Sequence, residues 1–183
     1  MTMTLSGSGT ITGLTAGGLP SATVTQATLA TPVAGTGPTF SAYLSSSQTI
    51  TSTGTPTKIQ FNTETFDTAS CFDTSNYRFT PTVAGYYQVN VMLSIGVTSG
   101  RAYYMECDVY KNGSNFRGTT ASFSSSGSGA NPAMTNSSVI YMNGTTDYLE
   151  VYFAQVDYTS AGSVTILQSA TWSNFSASLV RGA

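Results

Sequence analysis

The chain has 183 residues, 40% of them hydrophobic, and a formal net charge of -2, which suits one packed domain with a segment to spare. Charged residues make up 8%, against roughly 25% in average globular chains. The six basic ones are scattered (Lys58, Arg78, Arg101, Lys111, Arg117 and Arg181), which argues against a nucleic-acid surface, and the absence of histidine excludes Ser-His-Asp and Cys-His sites.

Residues 1–38 are rich in Ser, Thr, Gly and Ala and hold no aromatic and no charged residue. Single apolar residues recur through them at Leu5, Ile11, Leu14, Leu19, Val24, Leu29 and Val33, a spacing that fits neither a helix face nor a strand. A helical turn is predicted within "PSATVTQATLA", capped by Ser21. The segment cannot bury a core of its own. It reads as an extended arm whose apolar residues are anchors on a partner, and a disordered linker is the plainer alternative. It has neither the basic start nor the apolar block of an export signal, and no run in the chain approaches the ~20 apolar residues of a membrane span.

From residue 39 to 183 the pattern is that of strands. "FSAYL" alternates Phe40, Ala42 and Leu44, and "KIQF" puts Ile59 and Phe61 on one face. Asp73, Thr74, Ser75 and Asn76 predict a turn held by side-chain-to-backbone bonds, with Phe79 pinning the short strand after it. Pro81 suits a strand end, and Gly85 a tight entry where a Cβ would clash. "GYYQVNVMLSIGV" has strict period two, with Tyr87, Val89, Val91, Leu93, Ile95 and Val97 on the inner side. "AYYMECDVY" ends in the hairpin turn Asn112-Gly113. "SSSGSGANPAM" reads as a surface loop, and "SSVIYM", "YLEVYF", "SVTIL" and "WSNFSASLV" complete the strands. Many short strands, frequent turns and no helical period predict an all-β sandwich or jelly roll.

Little in this half points to chemistry. Cys71 and Cys107 lack metal-site spacing; free thiols are favoured over a disulfide, and Cys107 alternates with Met105 and Val109 as a small buried hydrophobe. Glu106 and Asp108 share one strand face, which more often means a solvated face than acid/base work or a calcium site. Asp147, Glu150 and Asp157 form no dense oxygen cluster. No catalytic, cofactor or metal residue is predicted, and the chain does not read as an enzyme.

The order of segments resembles the globular head of the complement-one-q family, whose jelly roll is similar to the tumour-necrosis-factor fold. The resemblance is carried by Phe72-Asp73, the turn Thr74-Ser75-Asn76, Phe79, Pro81, Gly85-Tyr86-Tyr87, "VYKNGSNFRG", "VIYMNGTTDYLEVYF" and the closing "FSASLV", over roughly residues 39 to 181. It implies a ten-stranded type of antiparallel jelly-roll sandwich that packs as a homotrimer. The candidates for that interface are outward tyrosines: Tyr86, Tyr104, Tyr110, Tyr148 and Tyr152. A trimer carrying neutral, anchor-dotted arms reads as a bacteriophage capsid decoration or cement protein. It would be synthesised in the host cytoplasm and grip the major capsid protein at the virion surface. The alternative is the receptor-binding tip of a phage tail fibre, and a secreted ligand comes third.

Overall fold

The computed structural model describes residues 37–98, 100–125, 131–159 and 162–183. Along them the chain forms thirteen strands: β1 (Thr39–Tyr43), β2 (Gln48–Ile50), β3 (Thr57–Lys58), β4 (Thr63–Asp67), β5 (Phe72–Asp73), β6 (Arg78–Phe79), β7 (Gly85–Gly96), β8 (Ala102–Lys111), β9 (Ser114–Ser124), β10 (Ala133–Met142), β11 (Leu149–Asp157), β12 (Val164–Ile166) and β13 (Asn174–Gly182). The anchors Leu5, Ile11, Leu14, Leu19, Val24 and Leu29, and the helical turn expected at "PSATVTQATLA", lie outside the described residues.

Ten strands make two facing layers. One runs β4-β1-β13-β7-β10, and the other β5-β6-β11-β8-β9. All strand pairs are antiparallel, and short β2, β3 and β12 extend the layers. The predicted alternation in "GYYQVNVMLSIGV" holds: Tyr87, Val89, Val91, Leu93 and Ile95 are buried, while Tyr86 and Asn90 are exposed. Period two requires this, since successive side chains leave a strand on opposite faces. Cys107 is buried between Met105 and Val109, and both cysteines are free.

The centre of the sandwich is aromatic. Phe40 stacks on Phe72 at 4.7 Å and on Phe79 at 4.6 Å, and meets Phe175 edge-on at 4.9 Å. Phe79 in turn meets Tyr87 at 5.4 Å. These rings join β1, β13 and β7 of one layer to β5 and β6 of the other.

The turn before Phe79 closes as expected. Asp73 Oδ1 accepts from Ser75 N at 2.8 Å and Ser75 Oγ at 2.6 Å, and Asn76 Nδ2 donates to Oδ2 at 2.6 Å. The bonds from Ser75 and then Asn76 stabilise the carboxylate and bring its pKa down to about 2. Tyr77 completes the turn at φ 57°, a conformation that few non-glycine residues adopt. At Gly85 a Cβ would meet the Arg181 carbonyl and the Leu179 side chain, so the close approach read from the sequence is present. Asn112 and Gly113 both have positive φ, 53° and 80°, as a two-residue hairpin of mirror-image turn type demands.

Two expectations, at "KIQF" and "SSSGSGANPAM", need correction, and one strand, β4, had no sequence signal. "KIQF" is not a strand along its length: β3 ends at Lys58, and Ile59 and Phe61 are fully buried beyond it. Ile59 N still donates to Val151 O at 2.9 Å, so the ladder ends one bond later while the apolar side chains stay in the core. The segment "TETFD" forms β4 although it lacks buried alternation, because it is an edge strand paired only to β1. The surface loop read at "SSSGSGANPAM" is shorter than expected: β9 reaches Ser124 and β10 starts at Ala133.

Candidate functional site

The two outer faces of the sandwich differ in charge. In one layer the adjacent strands β1, β13, β7 and β10 carry a single charged residue, Arg181, and only the edge strand β4 adds more, Glu64 and Asp67. Strands of the other layer carry Lys58, Asp73, Arg78, Glu106, Asp108, Lys111, Arg117, Glu150 and Asp157.

The middle of the uncharged face is a flat field of amides and hydroxyls. Gln88 Nε2 donates to Ser137 Oγ at 3.0 Å, Ser137 Oγ donates to Asn90 Oδ1 at 2.8 Å, and the Thr39 and Ser178 hydroxyls bond at 2.6 Å. At the end where β7 begins, the face becomes apolar. Tyr86 and Tyr141 are direct cross-strand partners with ring centroids 5.4 Å apart. Val139 and Val180 flank them, and all four side chains are exposed, Val139 at 51%. Together with Arg181, Gly182 and Ala183 they line an open depression of about 580 Å³. The chain enters the domain at this same end. Gly37 lies against Leu179, and Leu179 N donates to Pro38 O at 3.1 Å. The packed domain therefore reaches back to Gly37.

The other face is charged but internally paired. Glu150 is 2% exposed, and its Oε1 accepts from Lys58 Nζ at 2.7 Å, Arg78 Nη2 at 2.8 Å and Arg78 Nε at 2.9 Å. Burial on its own would raise the Glu150 pKa, but the bonds and charges of Lys58 and Arg78 outweigh it and hold the carboxyl below its usual range. The Arg78 guanidinium covers the Tyr148 ring at 3.7 Å, and Tyr110 stacks on Tyr152 at 4.1 Å. Tyr104 OH donates to Glu106 Oε1 at 3.0 Å. Asp147 ties the two basal turns by accepting from Asn112 Nδ2 at 2.8 Å and Asn143 N at 3.0 Å, with Lys111 Nζ at 2.8 Å from its Oδ2.

The five tyrosines expected at an interface are thus divided. Tyr86 stands on the uncharged face. Tyr104, Tyr110, Tyr148 and Tyr152 are half-buried on the opposite one, engaged with their own neighbours. Sequence reading missed Val139, Tyr141 and Val180. The alternation of "SSVIYM" held the signal for the first two, but which face they share with Tyr86 depends on the pairing of β10 with β7.

Chemistry finds little support in this geometry. The Cys107 thiol is pushed up to about 12, first by burial and then by the Asp108 charge; burial also raises Cys71, whose Sγ donates to Asp67 Oδ1. Neither is a ready nucleophile. Asp108 is raised by burial and by Glu106, with Asn115 opposing. Among the described residues no group of three or more His, Cys, Asp and Glu is placed to hold a metal ion.

The Glu150 cluster makes a pH-dependent prediction. Its folded pKa is depressed, so its stabilisation is complete above the unfolded value of about 4.3 and is lost as pH falls through the folded value. Glu150→Gln is expected to cost about 1–3 kcal/mol at pH 7. In urea melts the gap to wild type should close as pH drops below about 4. An unchanged gap at pH 3 and 7 would show that the charge of Glu150 does not matter.

No protein-family model and no curated protein matches the chain. Solved structures do. A crystal structure of murine APRIL aligns with TM-score 0.54 at 7% identity, covering 78% of this chain and 98% of that one. The structure of Eiger TNF from S. frugiperda aligns at 0.50 and 12% identity, covering 80% and 92%. The fold is the tumour-necrosis-factor jelly roll. The globular domain of zebrafish complement 1qA protein aligns at 0.47 and 14% identity, covering 80% and 99%. At these identities the likeness extends to the fold of the jelly roll alone.

Proposed function

We propose that the protein is a structural component of a bacteriophage particle, a homotrimeric decoration protein that holds the capsid shell and performs no catalysis. The observation that carries this reading is the charge asymmetry of the sandwich. Four adjacent strands with one charged residue among them, and an exposed Tyr-Val-Tyr-Val cluster at one end, suit a surface that meets copies of itself at that end. Charge would have to be desolvated there, and hydroxyls and amides pair at lower cost. The trimer forms around Tyr86, Val139, Tyr141 and Val180.

The arm of residues 1–36 joins the domain at that same end, beside Leu179. Three copies therefore start together and spread from the base of the trimer over neighbouring capsid subunits. Leu5, Ile11, Leu14, Leu19, Val24 and Leu29 supply anchors, and three linked arms gain from effective concentration. Deleting residues 1–36 is the test. The truncated protein is expected to remain a trimer and to lose co-sedimentation with capsids. Normal binding by the truncated trimer would overturn the role of the arm. Binding of the intact trimer to tails or host cells and not to heads would replace this reading with a tail-fibre tip.

A further inference from the structure

The far end of the uncharged face carries a second concavity. From Tyr86 to Ser94 along β7 is about 26 Å at the usual strand rise. There Met92, Ser94, Asn131, Ala133 and Trp172 line a groove of about 300 Å³. None of the five is charged. Trp172 is 62% exposed, yet its backbone is tightly held. Thr171 N and Trp172 N both donate to Ser169 Oγ at 3.1 Å, and Ser173 N donates to Ser169 O at 3.0 Å. Ser173 is fully buried and its Oγ accepts from Ser94 N at 3.1 Å, which fastens this turn to β7. The core gains little from Trp172, so a fixed turn is presenting a large aromatic ring to solvent.

We propose that this groove binds a neutral saccharide. A pyranose has an apolar C–H face and a rim of hydroxyls. The Trp172 indole offers a flat apolar surface for the first, and the Asn131 amide and Ser94 hydroxyl offer neutral donors and acceptors for the second. Small, mostly apolar concavities with a few placed polar groups are where such ligands bind. A charge-free lining has nothing to compensate a phosphate, sulfate or carboxylate, so acidic sugars and anionic lipids are disfavoured. The held backbone reduces the ordering cost of binding. The site lies at the opposite end from Gly37, so an arm gripping a particle leaves it facing outward. Copies that meet around the Tyr86–Val180 cluster, about 26 Å away along β7, leave it open.

Trp172 is the sole tryptophan of the chain, so its fluorescence reports this groove without interference. The full-length protein is titrated with the methyl glycosides of glucose, mannose, galactose and N-acetylglucosamine. At least one is expected to give a saturable blue shift with Kd of about 1–10 mM, the range of a single shallow subsite. Saturation-transfer NMR with that glycoside should lose its signal in Trp172→Ala and weaken about tenfold in Asn131→Ala. Both positions are exposed, and either variant can be checked for an unchanged urea midpoint. The proposal fails if no glycoside gives a saturable response up to about 100 mM. It also fails if the NMR signal survives in Trp172→Ala, or if the emission shift follows protein concentration and not sugar.

Discussion

Replacing Phe40 with alanine is expected to destabilise the domain by about 3–5 kcal/mol, read as a shift of the urea midpoint at unchanged slope. Phe40 is fully buried on β1, and its ring contacts three others, stacking on Phe72 and Phe79 and meeting Phe175 at 87°. Its removal opens a cavity between the two layers and deletes aromatic pairs worth about 0.5–1.5 kcal/mol each beyond their burial. Neighbouring rings cannot relax into the space easily, because Phe72 and Phe79 sit on two-residue strands paired to each other. Phe40→Leu keeps most of the volume and should cost under about 1.5 kcal/mol. A loss near 1 kcal/mol for the alanine variant would mean the ring cluster is not the centre of the core.

Introducing charge at the base of the uncharged face should abolish self-association. In Val139→Glu combined with Tyr141→Glu, two carboxylates replace exposed apolar side chains beside Tyr86. The isolated domain loses little, since both positions face outward. Three copies meeting there would bring six carboxylates together, with Arg181 on these strands and Lys111, 5.8 Å from the Tyr141 ring but already paired with Asp147, as the nearby cations of each copy. The desolvation and repulsion amount to several kcal/mol per copy, which is enough to leave monomers at micromolar concentration. Sedimentation equilibrium reads the change. Tyr158→Glu, at a position 66% exposed near the opposite end, is the control and should stay trimeric. A double variant that keeps the wild-type mass would move the contact elsewhere.

Much of the scaffold is legible in the sequence because its signals are local. Period two places Tyr87 to Ile95 in the core, Asp73 with Ser75 and Asn76 writes its own turn, and Asn112-Gly113 marks its hairpin. β4 is not legible in this way, because a polar edge strand has only one neighbour and little to bury. The grouping of the tyrosines is illegible for a different reason. Alternation says that Tyr86, Tyr104, Tyr110 and Tyr152 point away from the core. It does not say that β7 belongs to one layer and β8 and β11 to the other. The charge asymmetry has the same origin: the chain is sparsely charged throughout, and only the strand order reveals that the nearly bare strands β1, β13, β7 and β10 stand side by side. Trp172 has no periodic neighbour at all. Its exposure follows from the turn at Ser169, which only the fold positions against Ser94.

The central claim is that copies of the chain meet on the Tyr86–Val180 end of the uncharged face. A cryo-EM reconstruction of the purified full-length protein tests it most directly. The expected result is a three-fold particle with Tyr86, Val139, Tyr141 and Val180 of each copy around the axis and the Tyr110–Tyr152 pair on the outside. Isolated monomers, or copies meeting through the Tyr110–Tyr152 face with Tyr86 and Tyr141 left in solvent, would contradict it.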